Sequence, residues 1–139
     1  MVHYNELIVS ASDAEVLASL VGERARSNPL EVEAADELAD VLYAARLVPH
    51  ENLPVDRVRM NSCVSYREEP DGVRRSVVVV HPNEANAGEG RISVLSPVGR
   101  ALLGRRPGAV VAAALPGGRG MNIRILRVER SAPALEESS

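Results

Sequence analysis

The sequence has no Phe, Trp or Lys, a single cysteine, and only three aromatic side chains, Tyr4, Tyr43 and Tyr66. Each shortage excludes something. Rings supply much of the wall of a deep ligand pocket, so such a pocket is not expected. The core must come from Val, Leu, Ile and Ala. One cysteine, Cys63, cannot form an intramolecular disulfide, which fits a reducing compartment. No basic segment followed by an apolar run opens the chain, so no signal peptide is expected. No apolar stretch approaches the roughly 20 residues of a membrane span. The expectation is a cytoplasmic protein with no membrane partner. His3, His50 and His81 lack metal-ligand spacing, and Cys63 has no His or Asp beside it to activate a thiol. The glycines match neither a phosphate-binding loop nor a dinucleotide fingerprint. No catalytic residue, metal or cofactor is assigned.

What is present is a split in charge along 139 residues. Residues 1–56 hold eleven carboxylates against three arginines, a net of −8, whereas residues 57–139 hold thirteen arginines against eight carboxylates, a net of +5. Such asymmetry points to two regions with different electrostatic tasks; drift of surface charge is the plainer account. The apolar period changes at the same place. Ser12-Asp13-Ala14-Glu15 has the form of a capping box, and Val16, Leu17, Leu20 and Val21 follow at helical spacing, which predicts a helix over residues 13–25. Ser27-Asn28-Pro29 breaks it. A second helix from about Leu30 carries Val32, Ala35, Leu38, Val41, Leu42 and Ala45 on one stripe. Two short helices with a tight connection predict an antiparallel hairpin. Glu31, Glu33, Asp36, Glu37 and Asp40 crowd the second arm, either as a solvated face or as an anionic tip.

Pro49 and Pro54 bracket a stiff linker. Beyond it Val58, Met60, Val64 and Tyr66 share one parity and Arg57, Arg59, Ser65 and Arg67 the other, which predicts a half-buried strand. Glu69-Pro70-Asp71-Gly72 is a turn, residues 76–80 a central strand, residues 83–90 a loop, and residues 92–95 a short strand. Ser96-Pro97 opens a short helix as N-cap and first helical residue, ended by Gly104. Strands over 110–115 and 121–128 follow, joined by Pro116-Gly117-Gly118, with a bulge expected near Ile125 where the parity switches. The tail from Ser131 is expected to fray.

The run Ile92-Ser93-Val94-Leu95-Ser96-Pro97-Val98-Gly99-Arg100-Ala101-Leu102-Leu103-Gly104, continued by Arg105-Arg106-Pro107-Gly108-Ala109-Val110-Val111 and Leu115-Pro116-Gly117-Gly118, resembles the signature of the C-terminal domain of the GreA/GreB transcription elongation factors. Val58-Arg59-Met60-Asn61-Ser62-Cys63-Val64 is similar to the strand that opens this domain in their short-hairpin subfamily, the regulators of nucleoside diphosphate kinase. The resemblance covers residues 55–130 well and the hairpin loosely. It implies an α+β fold: a short N-terminal antiparallel helical hairpin (residues 1–53), then an FKBP-like antiparallel β domain with one short helix (residues 54–139).

It also implies a function. The C-terminal domain is expected to bind RNA polymerase, on the β′ coiled coil at the secondary-channel rim, with the hairpin projecting toward the channel. Leu95, Ser96, Pro97, Val98 and Arg100 are the expected contacts; Leu95 stands where Gre factors carry an acidic residue, which favours an apolar contact. Arg105 and Arg106 are either a solvated helix end or a further contact. Gre factors hold the catalytic magnesium with an Asp-x-x-Glu pair at the hairpin tip. Here the matching place is Asn28-Pro29-Leu30-Glu31, with Glu33 and Asp36 beyond it. A neutral amide cannot supply the second anionic oxygen that Mg²⁺ favours, and the arms are short. The expected role is therefore a non-catalytic regulator that competes with other channel factors. The alternative is a transcript-cleavage factor using the acidic tip. Prolyl isomerisation is disfavoured by the lack of aromatics, and sequence-specific DNA binding by the lack of a reading helix.

Overall fold

The computed structural model describes residues 6–27, 29–69, 71–115 and 120–130. Asn28, Pro70, the Pro116-Gly117-Gly118 turn and the tail from Ser131 lie outside the described residues.

A short strand β1 (Ile8–Ser10) leads into helix α1 (Ala11–Ser27), a 3₁₀ turn Pro29–Glu31 reverses the chain, and α2 (Val32–Ala44) returns to strand β2 (Arg46–Val48). Helix α1 begins two residues before the position expected. Its cap is Ser10, whose Oγ accepts from Asp13 N at 3.1 Å, and not Ser12, which lies inside the helix. The strands β1 and β2 pair in parallel, Val9 opposite Leu47. They clamp the feet of the hairpin together and have no counterpart in the sequence reading.

The second region is a five-stranded sheet in the order β5-β4-β3-β7-β6. Its strands are β3 (Cys63–Glu69), β4 (Arg74–Val80), β5 (Arg91–Ser93), β6 (Val110–Ala114) and β7 (Gly120–Glu129), with the short helix α3 (Pro97–Leu102) between β5 and β6. The fold class is the α+β arrangement expected. The sheet is mixed, however, because β5 runs parallel to β4. The bulge falls where the parity switch placed it: β3 register jumps from Arg127 to Ile125 between Ser65 and Tyr66, leaving Leu126 as the extra residue. Strand β3 starts later than predicted. Asn61 takes a left-handed φ of 72°, which breaks the run of alternation. Residues 57–62 are turn and coil, so strand alternation does not apply there, and Arg57, expected on the solvent side, is buried beside Val58.

One core spans both regions. Leu17, Leu20 and Leu38 of the hairpin belong to the same buried cluster as Val58, Val79, Val94, Leu102 and Ile123. Burying each such side chain contributes about 1.5–3 kcal/mol. The hairpin is also tied down along its length. Met60 N donates to Asp13 Oδ2 at 3.0 Å near the start of α1. Arg24 Nη2 donates to Asn83 Oδ1 at 3.3 Å near its end. The expectation of a projecting prong is thereby corrected: the arms, about 25 Å and 20 Å long at 1.5 Å per residue, lie against the β domain because their apolar stripes have no other surface to cover.

Candidate functional site

The signature segment is built around one corner. Ser93, the last residue of β5, accepts at its carbonyl from Ser96 N (2.9 Å) and from Ser96 Oγ (2.6 Å). The same Ser96 Oγ accepts from Gly99 N at 3.1 Å, which caps α3. Pro97 fills the first helical position, where no amide is needed. Gly99 explains why the helix can sit this close: a Cβ there would lie 2.2 Å from the Ser93 carbonyl oxygen. Helix start and glycine together hold α3 flat on the end of β5.

The five residues singled out here have different fates. Leu95 is 5% exposed and packs in the core. Its side chain is not an apolar contact for a partner, because the core already occupies it. Arg100 is also committed internally. Its Nη1 donates to the Leu95 carbonyl and its Nη2 to Glu37 Oε1 at 2.5 Å, with the arginine side chain only 12% exposed. It joins α3 to α2. Val98 is half-buried and packs against the core. Ser96 and Pro97 are partly exposed at the corner.

At the tip, Glu31 ends the 3₁₀ turn and its carboxylate accepts from Arg24 Nη1 at 2.8 Å. Arg24 bridges that carboxylate to Asn83, so one guanidinium closes the tip onto the β domain. Glu33 and Asp36 are exposed on α2. The structure does not gather Glu31, Glu33 and Asp36 into one site. Among the described residues, no group of three or more His, Cys, Asp or Glu is placed to hold a metal ion.

A second anchor was invisible in the sequence. Arg57 is buried and its Nη1 donates to the carbonyls of Glu6 (2.6 Å) and Gly104 (3.0 Å). This ties the segment before β1 to the loop after α3. Burial lowers its pKa, as it does for Arg105, which also faces the charge of Arg57. Burial likewise raises the Cys63 thiol, with Glu129 adding to the shift. That is the opposite of an activated nucleophile. Gly99 did carry a signal, since a glycine inside a helical run marks a close approach. Arg24, Asn83 and Glu37 carried none, because their pairing depends on long-range folding.

Comparison with known proteins gives one consistent picture. Residues 53–130 match the family model for the C-terminal domain of the transcription elongation factors GreA/GreB. The chain is 34% identical over 123 residues to a regulator of nucleoside diphosphate kinase from Escherichia coli strain K12, covering 88% of each. It is 38% identical over 92 residues to transcription elongation factor GreA of Chloroflexus aggregans, spanning 66% of this chain and 58% of that protein. Among solved structures, a prokaryotic transcription elongation factor GreA/GreB from Nitrosomonas europaea superposes with a TM-score of 0.69 at 33% identity, covering 90% of this chain and 98% of that one.

Proposed function

The chain belongs to the GreA/GreB family of transcription elongation factors, and from that premise we propose that it is a cytoplasmic regulator that binds RNA polymerase without chemistry of its own. In this reading residues 54–139 are the docking domain and residues 1–53 an acidic hairpin that the domain carries. The domain seats on the β′ coiled coil at the secondary-channel rim. The corner formed by Ser96, Pro97 and Val98 makes the contact, while Leu95 and Arg100 hold that corner in shape from behind. Competition with other channel-binding factors follows from a shared seat on the polymerase.

The observation that carries the non-catalytic part is the state of the tip. Glu31 is already paired with Arg24, and Arg24 is bonded to Asn83 of the β domain. A cleavage factor needs free carboxylates at the end of a long projecting hairpin. Here the one tip carboxylate that matches the family's position is neutralised by a cation, and the arms are short and strapped down. The electrostatics support a binding role too: the acidic charge of the hairpin is exposed on α2 at Glu33, Asp36 and Asp40, while the domain meant to grip the polymerase is basic.

The test is retention on core polymerase by the full chain and by Pro97→Asp. An aspartate at the first turn is favoured by the helix dipole, so the variant keeps α3 while placing a charge at the corner. The expected result is loss of retention of at least about tenfold, the scale of a central interface residue. Undiminished retention removes the proposed contact. In stalled transcription complexes the protein is expected to leave the RNA uncut; Mg²⁺-dependent shortening that disappears in Glu31→Gln would establish the cleavage reading instead.

A further inference from the structure

The hairpin has a second apolar face that nothing described covers. Between α1 and α2, on the side away from the β domain, runs an open groove of about 570 Å³. Every lining residue comes from the hairpin and β2, and none from the β domain. Its small side chains are Ala11, Ala14 and Ala18 on α1 and Ala39 on α2, with Val21 and Leu42 half-buried among them. At its lower end stand Tyr43, 94% exposed, and Leu47, 51% exposed. Four alanines among the lining residues leave room for the side chains of an incoming ridge. An aromatic ring left almost wholly in water beside it is the kind of anchor that becomes worth most when a partner desolvates it.

The charge around the groove selects the partner. Glu15 lines it directly. On α2, Asp36, Asp40 and Tyr43 follow one another at spacings of four and three, which puts both carboxylates on the stripe that bears the tyrosine. Both are exposed, and among the described residues no arginine lines the groove. A second copy of the chain would bring carboxylates against carboxylates, which opposes self-association at this face. We propose that the groove is a docking site for an amphipathic helix of a partner protein, one with a ridge of large apolar side chains flanked by Lys or Arg. The site is independent of the polymerase contact, since it shares no residue with the α3 corner.

The experiment uses the full chain and a labelled synthetic helical peptide with a leucine ridge flanked by lysines, read by fluorescence anisotropy at physiological salt. A second peptide carries the same ridge flanked by glutamates. Saturable binding of the lysine peptide is expected, and binding of the glutamate peptide at least about tenfold weaker. Tyr43→Ala and Ala18→Gln change no charge, so each is expected to weaken the lysine peptide at least about tenfold if the groove is the seat. Circular dichroism checks that both variants fold. Variants that bind the lysine peptide as wild type does would reduce the interaction to general attraction to an acidic surface and overturn the proposal. So would equal binding of the two peptides, or sedimentation showing a dimer that Ala18→Gln converts to monomer. Both variants are expected to be retained on polymerase unless the corner is also altered, so failure of one proposal leaves the other standing.

Discussion

The two faces of the helical hairpin are both apolar, yet they are built from different residues and meet different fates. The inner face places Leu17, Leu20 and Leu38 at no more than 2% exposure in a core shared with the β domain. The outer face sets four alanines beside Val21, Leu42 and Leu47 and leaves Tyr43 in solvent. Side-chain size is the difference that matters. Leucines fill the space between two elements of the same chain; alanines leave that space open for something else. An apolar stripe by itself therefore says that a face will be covered, and the sizes along it say whether this chain does the covering.

Substitutions sharpen that contrast, beginning on the inner face. Leu38→Ala is expected to cost about 2–5 kcal/mol, because a fully buried leucine leaves a cavity between α2 and the β domain; chemical denaturation measures it directly. Gly99→Ala comes next. The added methyl has only 2.2 Å to the Ser93 carbonyl, and displacing α3 is expected to cost about 1–3 kcal/mol, seen as a lowered melting temperature. Tyr43→Ala on the outer face should change stability by no more than about 0.5 kcal/mol, as exposed positions do. A loss comparable with that of Leu38→Ala would mean the ring is part of the core, and the two faces would not differ as described.

The smallest expected effect lies on the sheet and concerns pH. Hydrogen bonds from Arg67 and then Arg124 hold the Glu69 carboxyl below its ordinary value of 4.5. A carboxyl lowered in the folded state adds stability above its unfolded pKa and loses it as pH falls through the folded one. Melting temperatures of wild type and Glu69→Gln should therefore converge as the pH drops below about 4.5. A gap that widens instead would mean the carboxylate is not the favoured form. The carboxylate is partly exposed and its ion pairs lie at the surface, so the gap is small at every pH.

Much of this was legible in the chain. The helical stripes, the Ser96-Pro97 start, the bulge beside Ile125 and the family signature rest on local rules, and local rules survive folding. The failures share a cause. Strands β1 and β2 are three residues each, too short for a period to register. Arg57 falls on the solvent side only if residues 57–62 continue the strand; they are turn and coil, and Arg57 and its neighbour Val58 are both buried. Leu95 read as an exposed substitute for an acidic residue, although its depth is set by how closely Gly99 lets α3 approach β5. The lie of the hairpin depends on Arg24 finding Asn83 and on Glu37 finding Arg100, pairs 59 and 63 residues apart that no spacing rule connects.

The three-residue parallel pairing of β1 with β2 has a consequence for how such chains can diversify. It sets Ile8 opposite Arg46 and Ser10 opposite Val48, so the chain between the two strands is an excursion that leaves from and returns to a fixed footing. The entropy of closing that excursion grows only slowly with its length. Whole helical turns can thus be inserted in matched pairs, one per arm, with the footing and the sheet beyond it unchanged. Past the point where Arg24 meets Asn83, each added turn would carry the tip away from its tether. In this architecture, reach is a quantity that small insertions can set without redesign of the part that grips.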